Sequence, residues 1–113
     1  MKQKQTETHQ HDPKECQVVK ALAIIGGKWK LPLIKRLTTG TKRYNELCRE
    51  LSGITQRMLT KQLRELEIDK VVSRKVYPEI PPKVEYSLTK AGKELHAVIL
   101  ELEKWGKTHT SHR

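Results

Sequence analysis

Apolar residues recur at helical spacing in five stretches of the chain and alternate with polar ones in two more, and these patterns outline the fold. Asp12-Pro13-Lys14-Glu15 reads as a helix start: Asp is a preferred N-cap, Pro suits the first helical position, and Glu15 completes an Asp-x-x-Glu capping box. The helix is expected to run to about Ile25 and stop at Gly26-Gly27. Val18, Ala21, Leu22 and Ile25 form its stripe, and Cys16 lies roughly opposite, within the first turn or two. Leu31, Ile34 and Leu37 predict a second helix over Lys28–Leu37, in which Pro32 is tolerable only if it falls in the first turn. Two short helices follow, about Tyr44–Leu51 and Thr55–Ile68, joined by Ser52-Gly53-Ile54, the pattern of a helix-turn-helix. Val72, Arg74 and Val76 alternate with Ser73, Lys75 and Tyr77, and Val84, Tyr86 and Leu88 with Lys83, Glu85 and Ser87. These are two strands around the loop Pro78-Glu79-Ile80-Pro81-Pro82. Thr89 then caps a last helix to about Trp105, striped by Leu95, Val98, Ile99, Leu102 and Trp105, with Leu100 pointing well away.

The expected fold is therefore α+β, mostly α: a winged helix-turn-helix with a two-stranded β wing between N- and C-terminal helices. One domain is expected over 12–106, with flexible tails at 1–11 and 107–113. Only 35% of the 113 residues are hydrophobic, and Trp29, Trp105, Tyr44, Tyr77 and Tyr86 are the only aromatics. Such a chain buries a modest core, which makes a homodimer the expectation. The two end helices are its natural interface, with Val19, Leu95, Val98, Ile99, Leu102 and Trp105 as candidates. No apolar run exceeds the five residues Ala21–Ile25, against about 20 for a membrane span. The N-terminus lacks the apolar segment of an export signal, so the expected location is the cytoplasm.

Charge sharpens the functional reading. The chain carries +10, and the segment from Lys28 to Lys90 holds 15 Lys and Arg against 7 Asp and Glu, a net of +8. A central excess suggests a polyanion, most simply nucleic acid. On the Thr55–Ile68 helix, Leu59, Leu63 and Leu66 form the core stripe. Arg57, Lys61 and Arg64 project to the other side, with Gln56 and Thr60 on one flank and Thr55 as the N-cap. These side chains carry the donors and acceptors that read base edges in a major groove. Taken alone, the same helix would also fit a merely solubilising face. The basic hairpin that follows it changes the weighing, with Arg74, Lys75 and Lys83 as candidate phosphate contacts. Glu65, Glu67 and Asp69 read as solvent charges and local ion pairs.

Several of these segments resemble one known family. Cys16 with Ile25-Gly26-Gly27-Lys28-Trp29 is similar to the entry segment of the HxlR-type transcriptional regulators. So is the stretch from Gly53 to Thr60 followed by Leu63-Arg64-Glu65-Leu66, and Val76 to Thr89 resembles the family's wing almost throughout. The resemblance covers roughly residues 16–106. It implies a MarR-like winged-helix homodimer that binds a roughly palindromic operator in duplex DNA and regulates nearby genes in bacteria. Carried over position by position, the helix from Thr55 corresponds to the recognition helix and Pro78 to Lys83 to the wing tip. Cys16 corresponds to a cysteine through which some members respond to electrophiles or oxidants. Pro32 departs from the family pattern, and Cys48 lies outside the shared motif.

Cys16 has physical support of its own, because a thiol near a helix N-terminus is drawn toward thiolate by the dipole. Lys14 and Lys20 would assist and Glu15 oppose this. A small residue packed between subunits is the alternative, and a Cys16–Cys48 disulfide across a dimer stays open. Two cysteines are too few for a disulfide scaffold. His9 and His11 with Cys16 match no regular zinc spacing, so neither metal nor cofactor is expected. A small-molecule inducer fits the class without being specified. With no phosphate loop, serine elbow or paired catalytic carboxylates, no enzyme is expected. The competing function is a winged-helix protein-interaction or RNA-binding module, disfavoured by the lack of an aromatic stacking platform.

Overall fold

The computed structural model describes residues 16–112. Within them lie five helices and a three-stranded antiparallel sheet. In chain order these are α1 (Gln17–Ile24), α2 (Lys30–Leu37), β1 (Lys42–Arg43), α3 (Tyr44–Glu50), α4 (Gln56–Ile68), β2 (Val72–Tyr77), β3 (Lys83–Leu88) and α5 (Lys90–His109). This is the mostly helical winged helix-turn-helix expected from the sequence. The Asp12–Glu15 capping box and the 1–11 tail lie outside the described residues.

Local chemistry explains most boundaries. The helix α1 begins after Cys16, which sits at its N-cap in extended backbone (φ −74°, ψ 122°), not inside the first turns of a helix from Asp12. It ends before Gly27, whose φ of 93° is open to glycine and costly for other residues. In α2, Trp29 is the N-cap, which places Pro32 in the first turn, where its missing N–H has no intrahelical partner to lose. At α3 the Arg43 N–H is capped by Glu46 at 2.8 Å. Gly53, with φ 90°, makes the bend between α3 and α4. Thr55 caps α4 by accepting from the Met58 N–H at 3.0 Å. The other end of α4 closes with Lys70 in the left-handed region (φ 62°). There Val71 N–H bonds to Leu66 C=O and Lys70 N–H to Glu67 C=O, the paired bonds of a Schellman motif.

The core lies between α2, α3, α4, the sheet and the first half of α5. Leu33, Ile34, Leu47, Leu59, Leu63, Leu66 and Val72 are fully buried at its centre. Strand β3 is central: Lys42 pairs with Tyr86 on one side, and β2 pairs on the other from Val72↔Leu88 to Tyr77↔Lys83. The two-stranded wing of the sequence reading is thus part of a three-stranded sheet. Strand β1 is too short to show any alternation. Thr89 joins the sheet to α5: its hydroxyl accepts from Gly92 N–H at 3.0 Å and donates to the Lys70 carbonyl at 2.6 Å.

Two expectations need correction. The last helix runs to His109, so residues 107–109 are helical and not part of a C-terminal tail. Ile99 is 4% exposed and belongs to the protomer's own core, with Leu95 half-buried against it. Ile99 is taken by the side of α5 that faces α2, while Leu95 keeps part of its surface exposed. Val98, Leu102 and Trp105 remain exposed on α5, as do Val18, Val19 and Leu22 on α1.

Candidate nucleic-acid interface

The geometry of α4 follows from its stripe. Burial of Leu59, Leu63 and Leu66 fixes its rotation about its own axis, so Arg57, Lys61 and Arg64 stand exposed on the opposite side. None of the three takes part in an ion pair among the described residues, although five such pairs form elsewhere. Gln56, Arg57, Thr60, Lys61 and Arg64 share one open groove with Tyr44, so the structure brings these predicted residues together. Thr55 stands at the head of the same helix, with its side-chain oxygen occupied by capping.

Two contacts behind this face were not legible in the sequence. Tyr44, at the start of α3, places its hydroxyl 2.9 Å from the Gln56 carbonyl and 2.9 Å from the Thr60 hydroxyl, which ties α3 to the first turn of α4. Its only sequence signal was an aromatic residue at the mouth of the helix-turn-helix. The second contact is Lys30, whose ammonium lies 2.6 Å from Glu65 and whose side chain is only 11% exposed. Glu65 is therefore half of a bridge between α2 and α4, not the local pair expected. The Lys30 ammonium beside it, assisted by Lys61, holds its carboxyl below the ordinary 4.5 against a smaller opposing effect of burial.

The wing residues divide. Arg74 is exposed opposite Tyr86, whose phenol burial pushes above its ordinary 10.0, with Arg74 opposing. Lys75 and Lys83 flank the Tyr77 ring, at 5.0 and 4.3 Å from its centroid. Lys83 also lies 3.8 Å from Glu85. Arg74 thus forms no ion pair among the described residues, while Lys83 is already engaged within the wing. At the loop tip Ile80 is fully exposed. Cys16 and Cys48 are both half-buried free thiols, Cys48 packed against the core. His9 and His11 lie outside the described residues.

A helix-turn-helix whose basic face forms no ion pair among the described residues, followed by a basic hairpin, defines a winged-helix DNA-binding regulator. The chain belongs to the HxlR-like helix-turn-helix family, whose model matches residues 24–113. It is 51% identical over 94 residues to the HTH-type transcriptional regulator YybR of Bacillus subtilis, an alignment spanning 83% of this chain and 75% of that protein. Among solved structures, it is similar to the redox regulator HypR in its reduced form (TM-score 0.79, 49% identity, 85% of this chain and 95% of that one). It is also similar to diamide-treated YodB of B. subtilis (TM-score 0.75, 37% identity, 83% and 94%). The protein is accordingly a DNA-binding transcriptional regulator and not an enzyme. No helix among the described residues is long and apolar enough to cross a membrane.

Proposed function

We propose that two copies of this protein bind a roughly palindromic operator, with α4 of each in successive major grooves about 34–36 Å apart. The observation that carries this is the row Arg57, Lys61 and Arg64, exposed and without carboxylate partners among the described residues. Gln56 and Thr60 flank it with groups suited to base edges, and Arg74 and Lys75 supply phosphate contacts from the wing. The dimer forms through Val98, Leu102 and Trp105 with Val18, Val19 and Leu22, an apolar surface that one protomer leaves exposed on its two end helices. Binding takes place in the cytoplasm.

Cys16 is the sensing residue of this reading. It stands at the N-cap of α1, half-buried beside that apolar surface, where modification would alter the spacing of the two recognition helices. Two regulators similar in fold support a thiol role, one named as a redox regulator and one studied after diamide treatment. The test is a gel shift on the promoter upstream of the protein's own gene. Selective retardation is expected, and equal binding to every duplex sinks the operator reading. Diamide or a quinone should release the wild type and leave Cys16→Ser bound; equal responses remove Cys16 as the sensor.

A further inference from the structure

The hydroxyl cluster between α3 and α4 restricts what Thr60 can offer to a base. Tyr44 has one proton, and its oxygen lies 2.9 Å from the Gln56 carbonyl and 2.9 Å from Thr60 Oγ1. A carbonyl can only accept, so the phenolic proton goes to Gln56. The Tyr44–Thr60 bond must then run the other way, with the Thr60 hydroxyl donating to the Tyr44 oxygen. That uses the only proton on the Thr60 side chain. What remains toward the open side of α4 is a lone pair and a methyl group, with no donor.

We propose that Tyr44 is a specificity-determining residue for this regulator: by taking the Thr60 proton, it makes Thr60 an acceptor-only reader of the base it faces. The inference rests on the reading of α4 as the recognition helix. In a major groove the donors are the exocyclic amino groups of adenine and cytosine. Guanine presents O6 and N7, both acceptors, and thymine presents O4. At the half-site position facing Thr60, a base with an amino group is therefore favoured, and guanine meets lone pair against lone pair. A threonine free to rotate would not discriminate, since it can donate or accept. The phenol also draws the carbonyl of Gln56 to α3, so the same side chain holds the first turn of α4 in place while it selects the polarity of Thr60.

Tyr44→Phe removes one oxygen and keeps the ring, which packs against the core. The test is selection from a randomised duplex pool with wild type, Tyr44→Phe and Thr60→Val, followed by anisotropy titrations on the preferred site and its single-base variants. Wild type should prefer adenine or cytosine over guanine at one position per half-site by about three- to tenfold, the range of one net hydrogen bond. Tyr44→Phe should flatten that position far more than any other, leaving the salt dependence unchanged. Thr60→Val should flatten the same position, and the double variant should do no more than either single one. Unfolding midpoints are measured alongside, and Thr60→Val carries the test if Tyr44→Phe is poorly folded. A clear wild-type preference that neither variant alters overturns the proposal, as does a uniform loss of affinity on every sequence. A wild type without preference for any duplex overturns the operator reading, and this proposal with it.

Discussion

Gly92 lies in the first turn of α5, where the sequence gives no reason for a glycine. Helix propensity alone says that Gly92→Ala stabilises the protein by about 1 kcal/mol. The structure reverses the sign. A Cβ at Gly92 would lie 2.2 Å from the Val71 carbonyl oxygen and 3.2 Å from Leu88 Cδ2. An ordinary carbon–oxygen contact is about 3.3 Å, so α5 and the β2 entry must part by about 1 Å. The obstacle is backbone and cannot rotate away. Parting them also strains the Thr89 N–H bond to Val71 (3.0 Å) and the Thr89 hydroxyl bond to Lys70. Overpacking costs about 1–3 kcal/mol and a disturbed N-cap about 1 kcal/mol, against the propensity gain of about 1 kcal/mol. The net is a destabilisation of about 1–3 kcal/mol, or roughly 5–20 °C in Tm for a domain of this size. Gly106 in the same helix is the control, with nothing within 4 Å of its would-be Cβ. There alanine should gain about 0.5–1 kcal/mol. Urea unfolding followed by circular dichroism, at one protomer concentration because association would add to stability, reads both. If Gly92→Ala is as stable as wild type while Gly106→Ala gains, the approach of α5 to Val71 is not the constraint described.

Further outcomes follow from the same geometry. Lys30 depresses the Glu65 carboxyl, so the stability from this pair is complete above about pH 4.5 and is lost as pH falls through the lower folded value. Acid unfolding between about pH 5 and 3 should accordingly be steeper for wild type than for Glu65→Gln, and equal slopes refute it. Arg57→Ala and Lys61→Ala should weaken operator binding far more than Lys107→Ala, which changes a charge on the far end of α5; parity among the three by anisotropy counts against α4 as the reader. Arg74→Ala should reduce the slope of log K against log salt by about 1, and Lys83→Ala by less, since Lys83 is held by Tyr77 and Glu85. Lys70→Gly should raise stability by about 1 kcal/mol, because Lys70 occupies the left-handed region that ends α4; a loss in urea unfolding would show that its side chain matters more than its backbone.

The local elements were legible because their signals are local. Thr55 caps α4 through a residue three positions on, and Leu59, Leu63 and Leu66 mark its buried side within eight residues. The alternation through Val72–Tyr77 and Lys83–Leu88 foretold the hairpin pairing. The basic row Arg57, Lys61 and Arg64 needed no tertiary information either, since burying one side of a helix exposes the other. Pairings across the chain left no such trace. Two residues at β1 cannot display a period, and Lys30 resembles any surface lysine until α4 brings Glu65 beside it, 35 positions later.

Composition, periodicity and capping chemistry, all read within a turn or two of chain, were enough to settle the order of the helices and of the hairpin strands, and the sign of the exposed face of α4. Packing alone decided which neighbour each ambiguous side chain meets. Val98 and Ile99 sit on one stripe, yet the crossing of α5 over the core buries Ile99 and leaves Val98 outside. Tyr44 and Thr60 are 16 residues apart, and only the angle between α3 and α4 brings their hydroxyls within 2.9 Å. A single helix constrains its own rotation through its apolar stripe; the angle at which two helices cross depends on every side chain between them, and no stretch of sequence contains that sum.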